Sequence, residues 1–397
     1  MNEAPAVLDA TLVAPAKVRR VGRALVWDSA NTSALVLARE LCRQGWTVDW
    51  IGGAASPWRT STAFDGERTI AGADDEHLLR TFHEHPLDAL FLCGDDHVRW
   101  ILDHWASLPP GVRQHLSKPA SLRTALSKEH SMRLALELGV PVLPTERCTS
   151  IDEATAAARR LAPHGEVVLK GEGGAAGCAV ASVHSGKPPS LETWTRVTRF
   201  APVAFVQRRI RGPRVFMSVV YEHGVERAAC MHEKVATYPA DFGPTAFGIT
   251  RRVEIVHEYA RRMFGALQWH GIANIEFRQD TENGRWYFIE INPRVAASMG
   301  IQEAAGIDIP GTWAAVCMGR GDDNPPGCGY REGVHYAWTV RGLALAFRRP
   351  RDVPAWGLAT LLSKRSDLAA LDTPLRWRAL RLAFWLARQA RVTRSKR

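Results

Sequence analysis

No segment of this 397-residue chain reaches the roughly 18 uninterrupted apolar residues that a membrane-spanning helix needs. The first twenty residues, MNEAPAVLDATLVAPAKVRR, lack both a basic start and a sustained apolar stretch. They read as a flexible leader over 1–20, and export is not expected. Cysteine is sparse: Cys42, Cys93, Cys148, Cys178, Cys230, Cys317 and Cys328 are odd in number and scattered, with no CxxC pair. That argues against a disulfide framework or a thiolate metal cluster and suits a reducing cytoplasm, with each thiol a small buried apolar group. Internal repeats and low-complexity stretches are missing, as is any Ser/His/Asp or Cys nucleophile at diagnostic spacing.

Acidic charge is scarce in one place only. The formal net charge is +10, yet Arg341 to Arg397 hold 14 Lys/Arg against 3 Asp/Glu, and the preceding residues hold 37 against 38. A neutral body with a basic end does not suit a nucleic-acid groove, so no nucleic-acid partner is expected. What is present is globular: 46% hydrophobic and 23% charged residues, in a chain long enough for two or three packed domains.

Arg23 to Trp27 reads as a strand, Thr32 to Gln44 as a helix, Trp46 to Ile51 as a second strand and Asp88 to Cys93 as another buried strand. This pattern predicts a parallel sheet over 21–118. Its first turn, DSANTS, has no glycine, so the dinucleotide-binding fingerprint is missing where it would have to stand. SKPA at 117–120 marks a junction, and SLRTALSKEHSMRLALELG predicts one helix closed by Gly139. From Glu166 strands dominate (EVVLK, CAVASVH, VAFVQ, RVFMSVVY and VERAACM), with one helix over Arg251 to Leu267 and a hairpin over Gly271 to Pro293. The run DDNPPGCG at 322–329 marks a boundary before the basic tail.

The hairpin GIANIEFRQDTENGRWYFIEINPR carries the strongest chemistry. Side chains alternate across a strand, so Ile272, Asn274 and Glu276 share one face of the first strand, and Glu290 and Asn292 share one face of the returning strand. A three-residue loop of Glu282, Asn283 and Gly284 sets the two glutamates opposite each other, whereas a two-residue turn would put them on opposite faces. Carboxylates about 5 Å apart on a half-buried face need a cation between them, and Mg²⁺ takes one or two carboxylates plus water and phosphate oxygens. Solvated acids on an edge ribbon, or one protonated glutamate, would answer the repulsion as well. The second motif, EVVLKGEGGAAGCAVASVH, ends a strand at Lys170 and opens a loop containing Gly171, Gly173, Gly174 and Gly177. Glycines let backbone N–H groups converge on an anion, and the loop leads to a strand rather than to the GK[ST] and helix of a Walker loop. An ordinary flexible hairpin tip has the same composition.

Lys128 on a helix, Lys170 before a Gly-rich hairpin, FVQRRIRG, a helix, then GIANIEF and FIEINPR resemble the ATP-grasp superfamily, nearest to single modules of the carbamoyl-phosphate-synthase type. The resemblance implies an α/β and α+β chain: a parallel-sheet pre-ATP-grasp domain (21–118), a two-lobed ATP-grasp fold (119–320, lobes about 119–208 and 209–320) and a basic helical extension (321–397). It implies that Lys128, Lys170, Gly173 and Gly174 grip the phosphates of ATP, and that Gln207, Arg208 and Ile210 form the hinge against the adenine. Glu276, Glu290 and Asn292 would hold Mg²⁺, or Mn²⁺, and Arg294 would steady the γ-phosphate and acyl phosphate. Lys234 falls where a second cation would meet the transferred phosphoryl group, or else is an exposed strand-end lysine. Arg214 stands where family members often carry a ribose-binding acid, and VAAS after NPR departs from the usual glycine. The activity implied is ligation of a small-molecule or peptide carboxylate to an amine or similar nucleophile such as a thiol. Other readings are an ATP-binding regulatory module without catalysis or a basic nucleic-acid-binding protein.

PLRWRALRLAFWLARQAR, at 374–391, has Leu375, Ala379, Leu382 and Leu386 on one side and arginines spread over the other. It suits either a helix packed on the body or a peripheral contact with an anionic membrane through 374–397, on the inner face of the cell. If the tail docks on lipid, the full chain co-sediments with acidic vesicles at low salt and a chain ending at Leu371 stays in solution; equal partition of both removes the contact.

Overall fold

The computed structural model describes residues 20–370, apart from 72–73, 162, 164–165, 174–178, 184–188, 240–241, 324–328 and 364. Gly174 and the 374–397 segment therefore lie outside the described residues. Among those described, no helix is long and apolar enough to cross a membrane.

Strands β1 (Arg23–Trp27), β2 (Thr47–Gly53), β3 (Arg68–Ala71) and β4 (Ala89–Leu92) form a parallel sheet in the order β3-β2-β1-β4. The apolar runs expected of a sheet covered on both faces are there: Ala24, Leu25, Val26 and Trp27, then Ala89 to Leu92, are all buried. The chain leaves β1 toward β2 on one side, while β4 lies on the other. The carboxyl ends of β1 and β4 thus flank the point where strand order reverses.

Strands β5 (Thr145–Cys148), β6 (Val167–Gly171), β7 (Val180–Val183) and β8 (Ala204–Arg208) make a small antiparallel sheet in the order β5-β8-β6-β7. Helices Ile151–Leu161 and Leu191–Thr198 cover it through Ala154, Ala157, Leu161 and Val197, which bury Leu169 and Val206. The chain then enters a larger sheet of β9 (Arg214–Glu222), β10 (Val225–Thr237), β11 (Thr245–Thr250), β12 (Gly271–Gln279), β13 (Trp286–Asn292) and β14 (His335–Ala337), in the order β13-β12-β9-β10-β11-β14. Odd positions Ala273, Ile275 and Phe277 of β12 join the main core with Val256, Ala260, Met263 and Phe264 of helix Glu254–Ala266. The even positions are left to face the other way.

Three sequence expectations change. The single helix expected over 121–139 is two, Pro119–Leu126 and Lys128–Glu137, because the Ser127 hydroxyl accepts from the His130 N–H and caps a new start. Lys128 is consequently a first-turn residue. Those helices also bury Leu122, Ala125 and Ala135 in the core of the larger sheet, so their apolar faces pack with it, while Glu129 meets Arg147 of the small sheet at 3.2 Å. Finally, β14 pairs with β11, so the larger sheet continues beyond the boundary expected at residue 320.

Phe277 is fully buried, with its ring 5.9 Å from that of Phe288 and 6.0 Å from that of Tyr259. Phe277→Ala is expected to cost about 3–5 kcal/mol, read as a lower urea midpoint; an unchanged midpoint would show that this layer does not hold the sheet.

Candidate active site

The site lies on the even-numbered face of β12 and its neighbours. Glu276 is the register partner of Glu290, and Asn274 of Asn292, so the two carboxylates do stand opposite each other. The route differs from the one expected. The hairpin loop holds four residues: the Asp280 N–H donates to the Arg285 carbonyl at 2.9 Å, and the Gly284 N–H to the Asp280 carbonyl at 2.8 Å, with Gly284 at φ +72°. A bulge then intervenes, since Phe277 pairs with Phe288 while Glu276 pairs with Glu290, which leaves Ile289 as the extra residue. Loop and bulge shift the register in opposite senses, and the glutamates meet.

Three cationic side chains surround them. The Lys234 ammonium bonds Glu276 Oε2, and Arg214 Nη1 lies 3.9 Å from Glu276 Oε1 while its Nη2 donates to Thr237 Oγ1 at 3.3 Å. Glu276 is 5% exposed; burial pushes its pKa up, but the charges of Lys234, Arg214 and Lys170 and the Lys234 hydrogen bond together bring it below its ordinary value. It is therefore held as a carboxylate. Lys234 has a side chain 10% exposed, with its ammonium 4.9 Å from the centre of the Phe216 ring, so it is no exposed strand-end lysine. Lys170 donates to Gln207 Oε1 at 2.6 Å. Burial pushes its pKa down to about 8, opposed by the charges of Glu290 and Glu276 and assisted by that of Lys128. Beneath the group, fully buried His232 has both ring nitrogens unpartnered, and burial and then Lys234 push it down to about 3. It is neutral throughout the working range.

On the other side, Asn292 Nδ2 donates to Glu290 Oε1 at 3.3 Å, and Arg294 Nη2 donates to Asn292 Oδ1 at 3.0 Å. Asn274, fully buried, donates to the Arg294 carbonyl at 2.6 Å and accepts from Ser218 Oγ at 2.7 Å, which fixes where the chain leaves β13. For a divalent cation the donors fit: two carboxylates in register and an amide oxygen are hard ligands of the kind Mg²⁺ prefers. No group of three or more His, Cys, Asp or Glu side chains placed to hold a metal ion occurs among the described residues, so a site built wholly from such ligands is not found there.

The remaining sequence candidates fall around this face. Lys128 Nζ donates to the Glu172 carbonyl at 3.1 Å, while the Glu172 carboxylate accepts from Ser127 Oγ at 2.7 Å and from the Lys128 N–H at 3.2 Å. A carboxylate thereby occupies the amino end of helix Lys128–Glu137, where the helix dipole favours negative charge. Gly171 and Gly173 have a packing reason to be glycine: a Cβ would meet the Val197 carbonyl at 2.2 Å and Phe200 Cβ at 2.6 Å, respectively. Gln207, 2% exposed, is held by Lys170 and by Thr145 Oγ1, to which its amide donates at 2.8 Å. Arg208 sends its side chain to the hairpin loop, donating to Asp280 at 3.3 Å and Glu282 at 2.8 Å. Ile210 is buried with Leu143, Tyr287 and the bulged Ile289. Sequence reasoning missed Arg214, His232 and Glu172 as members of this cluster. For Arg214 and His232 the signal was the period of two: Arg214, Phe216 and Ser218 share a face of β9, and His232 and Lys234 one of β10, but only strand pairing brings those faces beside Glu276.

Residues 204–339 match a family model described as "ATP-grasp in the biosynthetic pathway with Ter operon". Over 89 residues the chain is 30% identical to acetyl-CoA carboxylase 2 of Oryza sativa subsp. japonica, which is 22% of this chain and 4% of that protein. The chain thus matches only a small part of the length of such curated relatives. Among solved structures, a biotin carboxylase complex from Campylobacter jejuni superposes with TM-score 0.62 at 15% identity, over 75% of this chain and 71% of that one. An L-amino acid ligase from Bacillus licheniformis gives 0.57 at 15% identity, over 75% of each chain. The small and large sheets, the matched segment and these neighbours agree on one architecture: this chain has an ATP-grasp fold.

Proposed function

We propose that this protein uses ATP with Mg²⁺ to activate a carboxylate as an acyl phosphate and passes the acyl group to an amine. One observation carries the reading: Glu276 and Glu290 are register partners within reach of the charges of Lys170, Lys234 and Arg214, with Asn292 and Arg294 beside them. Carboxylates and cations in such density suit a polyanion held through a divalent ion. Mg²⁺ held by Glu276, Glu290 and Asn292 would neutralise charge on the β- and γ-phosphates.

The chain's own groups supply the rest. Lys128 and Lys170 grip phosphate oxygens, and the apolar cluster of Leu143, Ile210, Tyr287 and Ile289 packs on the adenine ring. A substrate carboxylate oxygen bonds to the γ-phosphorus as the bond to the β–γ bridging oxygen breaks and ADP leaves. Lys234 and Arg294 offset the charge that builds on the transferred phosphoryl group. The amine nitrogen then bonds to the acyl carbon, phosphate leaves, and the nitrogen gives up its proton. The named neighbours, a carboxylase and an amino acid ligase, support ligation chemistry by analogy of fold.

A screen of carboxylate and amine pairs for Mg²⁺-dependent ADP release tests the reading, with Glu290→Gln expected to lose about 10²-fold or more of the turnover. Full turnover by that variant would remove the metal assignment, and ATP binding with no carboxylate-dependent release would favour a regulatory module. A second expectation concerns pH. Lys170 has a pKa of about 8 without nucleotide, and a bound polyphosphate favours its protonated form. Binding at higher pH must then take up a proton, so affinity for Mg²⁺·ATP falls as pH rises through and beyond that value, by at most about tenfold per unit. Titration calorimetry from neutral to alkaline pH should show this slope, and Lys170→Arg should flatten it.

A further inference from the structure

We infer that Asp95, in the parallel-sheet domain, is a positioning residue for Arg294, setting its guanidinium for the oxyanion of the transferred phosphoryl group. The inference rests on the proposed function and adds to it a residue from outside the ATP-grasp lobes.

Arg294 follows β13 by two residues and its side chain is 12% exposed. Each of its three nitrogens has an acceptor: Nε donates to Asp95 Oδ1 at 2.8 Å, Nη1 to the Val295 carbonyl at 3.2 Å, and Nη2 to Asn292 Oδ1 at 3.0 Å. The contact to Asp95 spans 199 positions of sequence and two sheets. It is set by backbone on both sides. Asp95 opens helix Asp95–Asp103 directly after Gly94 and the end of β4, and the Val295 N–H donates to the Leu92 carbonyl of β4 at 2.8 Å. Ser29, just past β1, donates through Oγ to the Cys93 carbonyl at 2.7 Å, tying the two strand ends together. Arg294 therefore arrives at the place where the strand order of the parallel sheet reverses, which is where open sheets of this kind receive ligands.

A guanidinium is a planar fork whose orientation is fixed once Nε and one Nη are held. Here Asp95 holds Nε and Asn292 holds Nη2, and Asn292 in turn donates to Glu290. Each Nη keeps one N–H beyond these contacts, so the fork retains two donors for an oxyanion. Asp95, Arg294, Asn292 and Glu290 make one hydrogen-bonded chain from the parallel sheet to the candidate metal ligands. Asp95 is 22% exposed and touches the arginine on its inner edge, so it acts through Arg294 and not on the substrate.

The decisive measurement is solvent exchange of the arginine Nε–H signals by ¹⁵N NMR, with the Arg294 signal assigned by its loss in Arg294→Lys. Asp95→Ala is expected to speed that exchange by roughly tenfold or more, while Asp95→Asn, which keeps an acceptor oxygen at the same reach, lies between. In parallel, Asp95→Ala should leave affinity for Mg²⁺·AMP-PNP within about twofold yet lower kcat for ADP release with a mixture of the twenty amino acids by about 30-fold at unchanged KM for ATP. Asp95→Asn should recover most of that loss. Unchanged Nε–H exchange in Asp95→Ala overturns the inference, as does unchanged kcat in that variant when the wild type is active. A wild type that binds Mg²⁺·AMP-PNP but releases no ADP counts against the proposed function, and the exchange experiment still decides the role of Asp95.

Discussion

The rest of the site follows from one electrostatic constraint: Glu276 and Glu290 are forced into register on adjoining strands. Two carboxylates so placed on a buried face repel far more than sheet pairing, about 0.2–1 kcal/mol per pair, can offset. Positive charge must therefore be recruited, and the sheet recruits it from three sides. Lys234 comes from β10, Arg214 from the start of β9 and Lys170 from the end of β6. Each cation is itself partly desolvated, which is tolerable only because the acids are there. The result is a cluster in which neither sign is stable without the other. A bound cation and polyanion can enter it by exchanging partners, with no charge left bare.

The proposed exchange would also give a use to the polar structure packed behind the face. Asn274, Ser218 and Gln302 form a buried relay, with Gln302 donating to Ser218 Oγ at 2.7 Å, and it holds the backbone at Arg294. Side chains that must stay put while their charged neighbours change partners need such a rigid support. The end of β6 shows the opposite arrangement. Its Glu172 is latched to the amino end of helix Lys128–Glu137 by hydrogen bonds that a phosphate could replace.

Much of this was legible in residue order. The parallel sheet, the strand that ends at Arg208 and the alternating faces of the hairpin follow from hydrophobic period alone, because strand side chains alternate strictly. The opposition of Glu276 and Glu290 survives a loop one residue longer than the sequence suggests, because the four-residue loop and the bulge at Ile289 cancel. Bulges leave little trace in sequence, since the extra residue is an ordinary isoleucine. The break at Ser127 is masked because the helical period runs on across it, although a serine ahead of Lys128 and Glu129 is a familiar start signal.

By itself the sequence determined which residues could share a face and marked the strands and helices with a strong local period, though not helix Leu191–Thr198 or strands β3, β11 and β14. It also determined the donor chemistry: two acids, an amide and a set of cations. Which faces meet was decided only by tertiary structure. Arg214 and Lys234 reach Glu276, and Asp95 reaches Arg294 across 199 positions, through strand order and the docking of one sheet on another. Such pairings depend on the packing of whole elements, and no local pattern encodes them.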